Sequence, residues 1–200
     1  MMNNRKKYSA IILSAGKSTR MGVPKFSLRF TATSTFLENI INQYTAFGCE
    51  EIIVVLNPDG AAFFKQLKLA VSSKVKVVIN QHPEWERFYS LKLAAKGLTN
   101  STPSFVSNID NPFINPKVLE MLAQSDSKAD YINPTFNGRG GHPFLISEKI
   151  IVDLISEPKD EIHLKEFLGR YSKYSVVVDD DKVLANVNTN EEYIRLFGQN

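Results

Sequence analysis

Apolar positions along the chain fall into two alternating kinds of segment. Tyr8–Ser14 and Ile52–Leu56 have nearly continuous apolar centres and read as strands buried on both faces. Val75–Ile79 and Pro103–Ile109 read as a third and a fourth strand. Between them apolar residues recur at helical spacing. Phe36, Leu37, Ile40, Ile41, Tyr44 and Phe47 form one such stripe, and Gly48 suits its stop. Thr35-Phe36-Leu37-Glu38 in front of it fits a capping box. Asn57-Pro58-Asp59-Gly60 reads as a turn, Ala61–Val71 as a helix, and Tyr89–Leu98 as another. Asn115-Pro116 has an N-cap residue followed by proline and starts a helix that runs to about Gln124.

The second half is less regular. Asp130–Asn133 and Phe144–Ile146 are short strands, separated by Asn137-Gly138-Arg139-Gly140-Gly141-His142-Pro143, which reads as a flexible loop. Ser147 can cap a helix to Ile155, a short helix covers Leu164–Gly169, and Tyr174–Val178 is a late strand. Asp179-Asp180-Asp181 is a turn, and Glu191–Phe197 is a terminal helix. Alternation of strand and helix implies a parallel sheet with helices on both faces, so the expected fold is a three-layer α/β/α sandwich with a mostly parallel, Rossmann-like sheet. No repeat, linker or low-complexity segment divides the 200 residues, which reads as one domain.

Composition narrows the class. A hydrophobic fraction of 43% and a charged fraction of 22% are those of a globular protein. The net charge of +3 suits a small anionic substrate and is too weak and scattered for nucleic acid. A single cysteine, Cys49, excludes an intrachain disulfide and any multi-cysteine metal site, and its place at the end of a helical stripe marks it as packing. Arg5-Lys6-Lys7 before an apolar run has the look of a signal peptide, but the run is short and leads into a cationic loop. No run has membrane-spanning length, and the expected location is the cytoplasm.

The candidate chemistry begins where the first strand stops. Ile11–Ser14 breaks into Ala15-Gly16-Lys17-Ser18-Thr19-Arg20-Met21-Gly22-Val23-Pro24-Lys25. Small residues let the backbone approach an anion, its N–H groups can face phosphate oxygens, and cations follow. Five residues separate Gly16 from Gly22, and Val23-Pro24 follow it, so neither the Walker A spacing nor G-x-G-x-x-G is present. Arg20 and Lys25 beyond an amide-lined turn suit the charge that develops when an α-phosphate is attacked and pyrophosphate leaves.

Leu13-Ser14-Ala15-Gly16-x-Ser18-x-Arg20-Met21-Gly22-x-x-Lys25 resembles the signature of the MobA-like nucleotidyltransferases, the molybdenum-cofactor cytidylyl- and guanylyltransferases and their relatives. Ser14 replaces the usual alanine. Further segments resemble the family in its own order. Ser90-Leu91 resembles the Ser-Leu of the cytidylyl-transferring members, although Glu86-Arg87-Phe88-Tyr89 stands where the family has small residues. Asp110-x-Pro112 resembles its D-x-P, and Gly141-His142-Pro143 its G-H-P turn. Asn186-Val187-Asn188-Thr189-x-Glu191 resembles the N-x-N-T-P-E of the guanylyl-transferring members, with Asn190 in place of proline.

The resemblance implies a nucleotide-diphospho-sugar transferase type of fold and Mg²⁺-dependent transfer of an NMP from an NTP to a phosphorylated acceptor of the molybdopterin type. It assigns nucleotide binding to Leu13, Ser14, Ala15, Gly16, Ser18, Thr19, Arg20, Gly22, Lys25 and Ser90, and catalysis to Arg20, Lys25 and Asp110. Metal binding falls to Asp110 and Asn188, and acceptor binding to Asn111, Pro112, Gly141 and His142. One acidic ligand is enough for Mg²⁺, which keeps waters and substrate phosphates as its other ligands. CTP is slightly favoured over GTP. A sugar- or alcohol-phosphate acceptor and a non-catalytic nucleotide-binding module are the alternatives. Lys17, Trp85, Phe88 and Tyr89 are open between solvent or packing and the ligand pocket; neither His82 nor His163 is singled out.

Overall fold

A computed structural model describes residues 6–67, 72–125 and 128–198. Among them a sheet runs in the order β3-β2-β1-β4-β7-β5, with β6 beside β5 on the side of β7 and β8 also pairing β5. The strands are β1 (Ser9–Ser14), β2 (Glu51–Leu56), β3 (Val75–Ile79), β4 (Ser104–Asn108), β5 (Tyr131–Phe136), β6 (Arg139–Gly140), β7 (Phe144–Ile146) and β8 (Lys173–Val177). Pairings β1·β2, β2·β3, β1·β4 and β5·β8 are parallel, while β7 is antiparallel to both its neighbours.

The helices are α1 (Phe36–Phe47), α2 (Pro58–Leu67), α3 (Glu86–Gly97), α4 (Pro116–Ala123), α5 (Glu148–Ser156), α6 (Leu164–Leu168) and α7 (Asn190–Phe197). Alternate residues of the central strands explain the layers. Ala10, Ile12, Ile52, Val54 and Leu56 pack with α1, α2 and α4 on one face. Ile11, Leu13, Ile53 and Val55 pack with α3, α5 and α6 on the other. Both faces are covered, so both sets are apolar and the strands read as continuous runs.

Local signals behave as their chemistry dictates. Thr35 and Glu38 form the reciprocal capping box of α1, and Gly48 closes that helix with φ 99°. Asn115 caps α4 through the Lys117 amide. Asn57-Pro58 is the same signal, and it opens α2 rather than forming a free turn: Asn57 Oδ1 accepts the Gly60 N–H at 2.6 Å. Residues 68–71 of the expected second helix lie outside the described residues.

The segment expected to be a flexible loop is instead ordered into a hairpin. Asn137 and Gly138 take φ 48° and 74°, the left-handed pair of a two-residue turn between β5 and β6. Thr135 pairs Gly140 while Ile132 pairs Leu145, so three steps on β5 face five on the return. The two extra residues form a bulge containing Gly141 and His142. Gly141 is required there by close approach, because a Cβ would meet the Val183 carbonyl oxygen at 2.6 Å.

Candidate active site

β2 and β3 lie on one side of β1 and β4 on the other, so the chain reverses its direction of growth between β1 and β4. Ligands of open α/β sheets sit at the carboxyl ends of strands beside such a switch. A cleft of about 770 Å³ lies there, bounded by the turn after β1, by Asn108, Ile109 and Asp110 after β4, and by the first turn of α3.

The loop after β1 is shaped from within. Ser18 adopts φ 50°, its carbonyl accepts the Met21 N–H at 2.9 Å, and Gly22 ends the turn at φ 70°. That angle is natural only to glycine. Met21 and Phe26 are buried and anchor the far side. Asn57 holds the near side, donating from Nδ2 to the carbonyls of Ala15 at 3.0 Å and Gly16 at 3.3 Å. Both bonds use carbonyls of the loop and none of its amides. Gly16 faces open space.

Lys25 Nζ donates to Asn188 Oδ1 at 2.7 Å and lies 4.0 Å from Asp110 Oδ2. Burial lowers the Lys25 pKa; Asp110 raises it, Arg20 lowers it and Glu192 raises it. Residues 25, 110 and 188, distant in the chain, thus form one cluster. It is tied further by the backbone, since the Val187 N–H donates to the Asp110 carbonyl at 2.7 Å. Glu192 accepts from the Asn188 amide and completes a capping box with Thr189, so Glu192 rather than Glu191 closes this motif.

Asp110 Oδ1 is buried without a hydrogen-bond partner. Leaving a carboxylate oxygen in that state is costly, and a cation at this edge would satisfy it. With the Asn188 amide oxygen beside it, the donor set is hard and oxygen-only, as Mg²⁺ or Mn²⁺ prefers. Among the described residues no cluster of three or more His, Cys, Asp or Glu could hold a metal. Any ion here would depend on substrate oxygens and water for the rest of its shell.

Leu13, Ala15, Gly16, Ser18, Thr19, Arg20, Lys25, Ser90, Asp110 and Asn188 all line the cleft. Ser14, Gly22, Asn111, Pro112, Gly141 and His142 do not. Asn111 is fully buried and donates to the carbonyls of Lys182 and Val183, and the Pro112 carbonyl accepts from Asn39. His142 stands behind the wall, its Nε2 3.1 Å from Asn108 Nδ2. With the amide donating, the ring proton sits on Nδ1, which is buried and unpartnered. Burial lowers the His142 pKa, Asp110 raises it, and Arg87 lowers it.

Six lining residues are not among the site residues expected from sequence: Pro83, Glu86, Arg87, Asn108, Ile109 and His163. The aromatic residues around them turn elsewhere. Phe88 is buried against Phe167, and Trp85 stacks on His82 at 4.0 Å between ring centres. Lys17 is exposed but borders the cleft. Glu86 takes φ 60° and ψ −157°, a region nearly confined to glycine, which is the backbone reason a small residue would be expected there.

The chain is similar to known proteins over nearly its whole length. It is 25% identical over 186 residues to the molybdenum cofactor cytidylyltransferase of Escherichia coli, covering 92% of each chain. It is 28% identical over 203 residues to a probable molybdenum cofactor guanylyltransferase of Bacillus cereus, covering 94% of this chain and 95% of that protein. The crystal structure of Rv0371c from Mycobacterium tuberculosis superposes with a TM-score of 0.78 at 24% identity, covering 96% of this chain and 99% of that one. A manganese complex of Rv0371c superposes with a TM-score of 0.74 at 20% identity, covering 98% and 100%. The model of the MobA-like NTP transferase domain matches residues 10–174. With the strand order, the cation-bearing loop and the Lys25–Asn188–Asp110 cluster in place, the chain belongs to the MobA-like NTP transferase family and is a nucleotidyltransferase.

Proposed function

We propose that the protein moves a nucleoside monophosphate from an NTP to a phosphorylated acceptor of the molybdopterin type and releases pyrophosphate. The observation that carries this reading is the convergence of Lys25, Asn188 and Asp110 opposite the loop amides. The names of the curated relatives support the acceptor class.

The amides and small side chains of Ala15–Thr19 cradle the triphosphate. Arg20 and Lys25 face the α- and β-phosphates and neutralise charge as it moves onto the leaving pyrophosphate. Asp110, through its unpartnered Oδ1, and Asn188 would hold a divalent ion, Mg²⁺ in this reading. Bound there, the ion would supply Lewis-acid charge to phosphate oxygens. An ionised oxygen of the acceptor phosphate attacks the α-phosphorus in line. One P–O bond forms as the α–β bridging bond breaks, and its electron pair leaves with pyrophosphate. No proton has to move, so the step needs no general base. His142, held neutral by burial behind Asn108, positions that wall rather than exchanging protons.

Ala15-Gly16, Ser90-Leu91 and Gly141-His142-Pro143 support CTP as the donor, whereas Asn186-x-Asn188-Thr189 supports GTP; CTP is slightly favoured. The test is pyrophosphate release with each NTP, Mg²⁺ or Mn²⁺, and a panel of acceptors comprising molybdopterin, sugar phosphates and alcohol phosphates. Turnover with molybdopterin and CTP is expected. Turnover only with a sugar phosphate overturns the acceptor class, and tight NTP binding without release from any acceptor overturns catalysis.

A further inference from the structure

Lys25, Asp110 and Asn188 reach the cleft on three separate segments, and each segment runs on into one aromatic cluster. Lys25 lies five residues before Phe30, Asp110 three before Phe113, and Asn188 five before Tyr193. Phe197 stacks on Tyr193 at 5.2 Å, one turn further along α7. Phe30, Phe113 and Phe197 then pack pairwise. Ring centres are 5.8 Å apart for Phe30–Phe113, 5.5 Å for Phe30–Phe197 and 5.4 Å for Phe113–Phe197. These three rings are half-buried, and fully buried Phe36 packs against Phe30, Tyr193 and Phe197. No ring of the cluster lines the cleft.

The links from ring to site are short and hydrogen-bonded. Lys25 opens a turn in which its carbonyl accepts the Leu28 N–H at 3.1 Å, and the Leu28 carbonyl accepts the Phe36 N–H at 2.8 Å. Between Asp110 and Phe113, Asn111 is held by its bonds to the carbonyls of Lys182 and Val183. After Asn188 the capping box of Thr189 and Glu192 starts α7, and the Tyr193 O–H donates to the Arg29 carbonyl at 2.9 Å. Aromatic contacts fix angle as well as distance. Phe113 and Phe197 are stacked at 10°, and Phe30 stands edge-on to them at 60° and 66°. The cluster therefore sets how the three segments approach one another.

We propose that Phe30, Phe113 and Phe197 are positioning residues, whose mutual packing holds Lys25, Asp110 and Asn188 in register and completes the divalent-ion site when α7 is docked. The inference rests on the reading of Asp110 and Asn188 as ion ligands and adds to it what brings them together. Asp110 follows β4 directly and is placed by the sheet. Asn188 has no strand beneath it. Its place depends on the Val187–Asp110 backbone bond and on α7, which has no buried side chain and is held by Tyr193, Leu196 and Phe197 against the core. Removing the Phe197 ring loosens α7 and Asn188 with it, and leaves the sheet untouched. A ligand displaced by a fraction of an ångström no longer meets the ion in a productive geometry.

The probe is Mn²⁺, titrated into the complex with a non-hydrolysable analogue of CTP or GTP and followed by the EPR signal of the free ion. Protein is kept in excess, so that no free analogue competes. Phe197→Ala should weaken Mn²⁺ about fivefold or more, and Phe197→Leu, which keeps apolar bulk without the ring, should weaken it less. In an Asn188→Ala background the same Phe197→Ala change should alter Mn²⁺ affinity by less than about twofold, because the ligand it positions is gone. Phe47→Ala is the control: its ring packs on Tyr8 and Phe105 at the amino ends of the strands, so it should lower the Tm and leave Mn²⁺ affinity unchanged. Unchanged affinity in Phe197→Ala, an equal loss in Phe47→Ala, or additive losses in the double variant overturn the positioning role alone. Equal Mn²⁺ binding by the parent and Asp110→Asn overturns the ion site itself and this inference with it.

Discussion

Asn57 is the residue on which loop and sheet are joined, and its removal is the sharpest test of how the loop is held. Its Oδ1 caps α2 through the Gly60 amide at 2.6 Å, while its Nδ2 donates to Ala15 O and Gly16 O at 3.0 and 3.3 Å. Asn57→Ala removes all three bonds. Loss of the cap costs about 1 kcal/mol. The two bonds to the loop contribute about 0.5–1 kcal/mol each, the longer one at the low end. The sum is about 2–2.5 kcal/mol, and at about 2–4 °C per kcal/mol for a chain of this size the Tm falls by about 4–10 °C. Only the loop share, about 1–1.5 kcal/mol, has to be restored when nucleotide binds, so KM for the NTP rises about 5–12-fold. Asn57→Asp separates the two functions: it keeps the cap but sets a negative charge against two carbonyls and beside the triphosphate. That variant should be more stable than Asn57→Ala and bind NTP more weakly. Thermal denaturation and pyrophosphate release measure both quantities. A fall in Tm with KM unchanged in Asn57→Ala would falsify the coupling, as would tighter NTP binding by Asn57→Asp than by Asn57→Ala.

Other expectations follow from single residues. Asp110→Asn should lower pyrophosphate release by about two orders of magnitude or more, because a neutral amide holds a divalent ion poorly; its melting temperature should not fall, since the replaced carboxylate oxygen is buried without a hydrogen-bond partner. Glu86→Gly relieves a backbone conformation that costs about 1–3 kcal/mol in a non-glycine residue, against about 0.5–1 kcal/mol of added chain entropy, so the Tm should hold or rise. Cys49 is fully buried, and burial, opposed by Lys74, pushes its thiol up to about 12, so native protein at pH 8 should resist thiol reagents and react only on unfolding. For Glu51 burial raises the carboxyl pKa, but hydrogen bonds from Lys76 and Thr99 outweigh it and the net direction is down. Its stabilisation is present above the ordinary glutamate value and lost as pH falls through the depressed one. Glu51→Gln should therefore flatten the acid side of the stability profile, and an unaltered profile would remove that assignment.

Much of the molecule is legible in its sequence. Local chemistry is short-range, so the capping box at Thr35, the Asn115-Pro116 helix start and the left-handed Gly48 follow from neighbours along the chain. The continuous apolar runs disclosed a sheet covered on both faces, and the spacing of Gly16, Arg20, Gly22 and Lys25 marked the loop and its family. Two segments differ from their local reading. Asn57-Pro58 carries the same signal as Asn115-Pro116 and opens α2 rather than a free turn, and Asn137-Gly138, the strongest short hairpin signal available, joins β5 to β6 rather than lying in a flexible loop.

Other features are decided only in three dimensions. Nothing in residues 25, 110 and 188 taken singly announces that one amide oxygen accepts from one ammonium beside a carboxylate with an unpartnered oxygen. That cluster exists because β4 returns next to β1 and because the Val187–Asp110 backbone bond draws the C-terminal segment across the strand ends. The same holds for the opposite wall: Arg87 and His163 are separated by two helices and four strands, and the buried Lys92 ties α3 to the segment before α6. Sequence determined the elements and the chemistry of the loop, because those depend on contacts a few residues apart. The partners of each charge depend on strand order, and strand order is the sum of many weak long-range contacts that no single segment encodes.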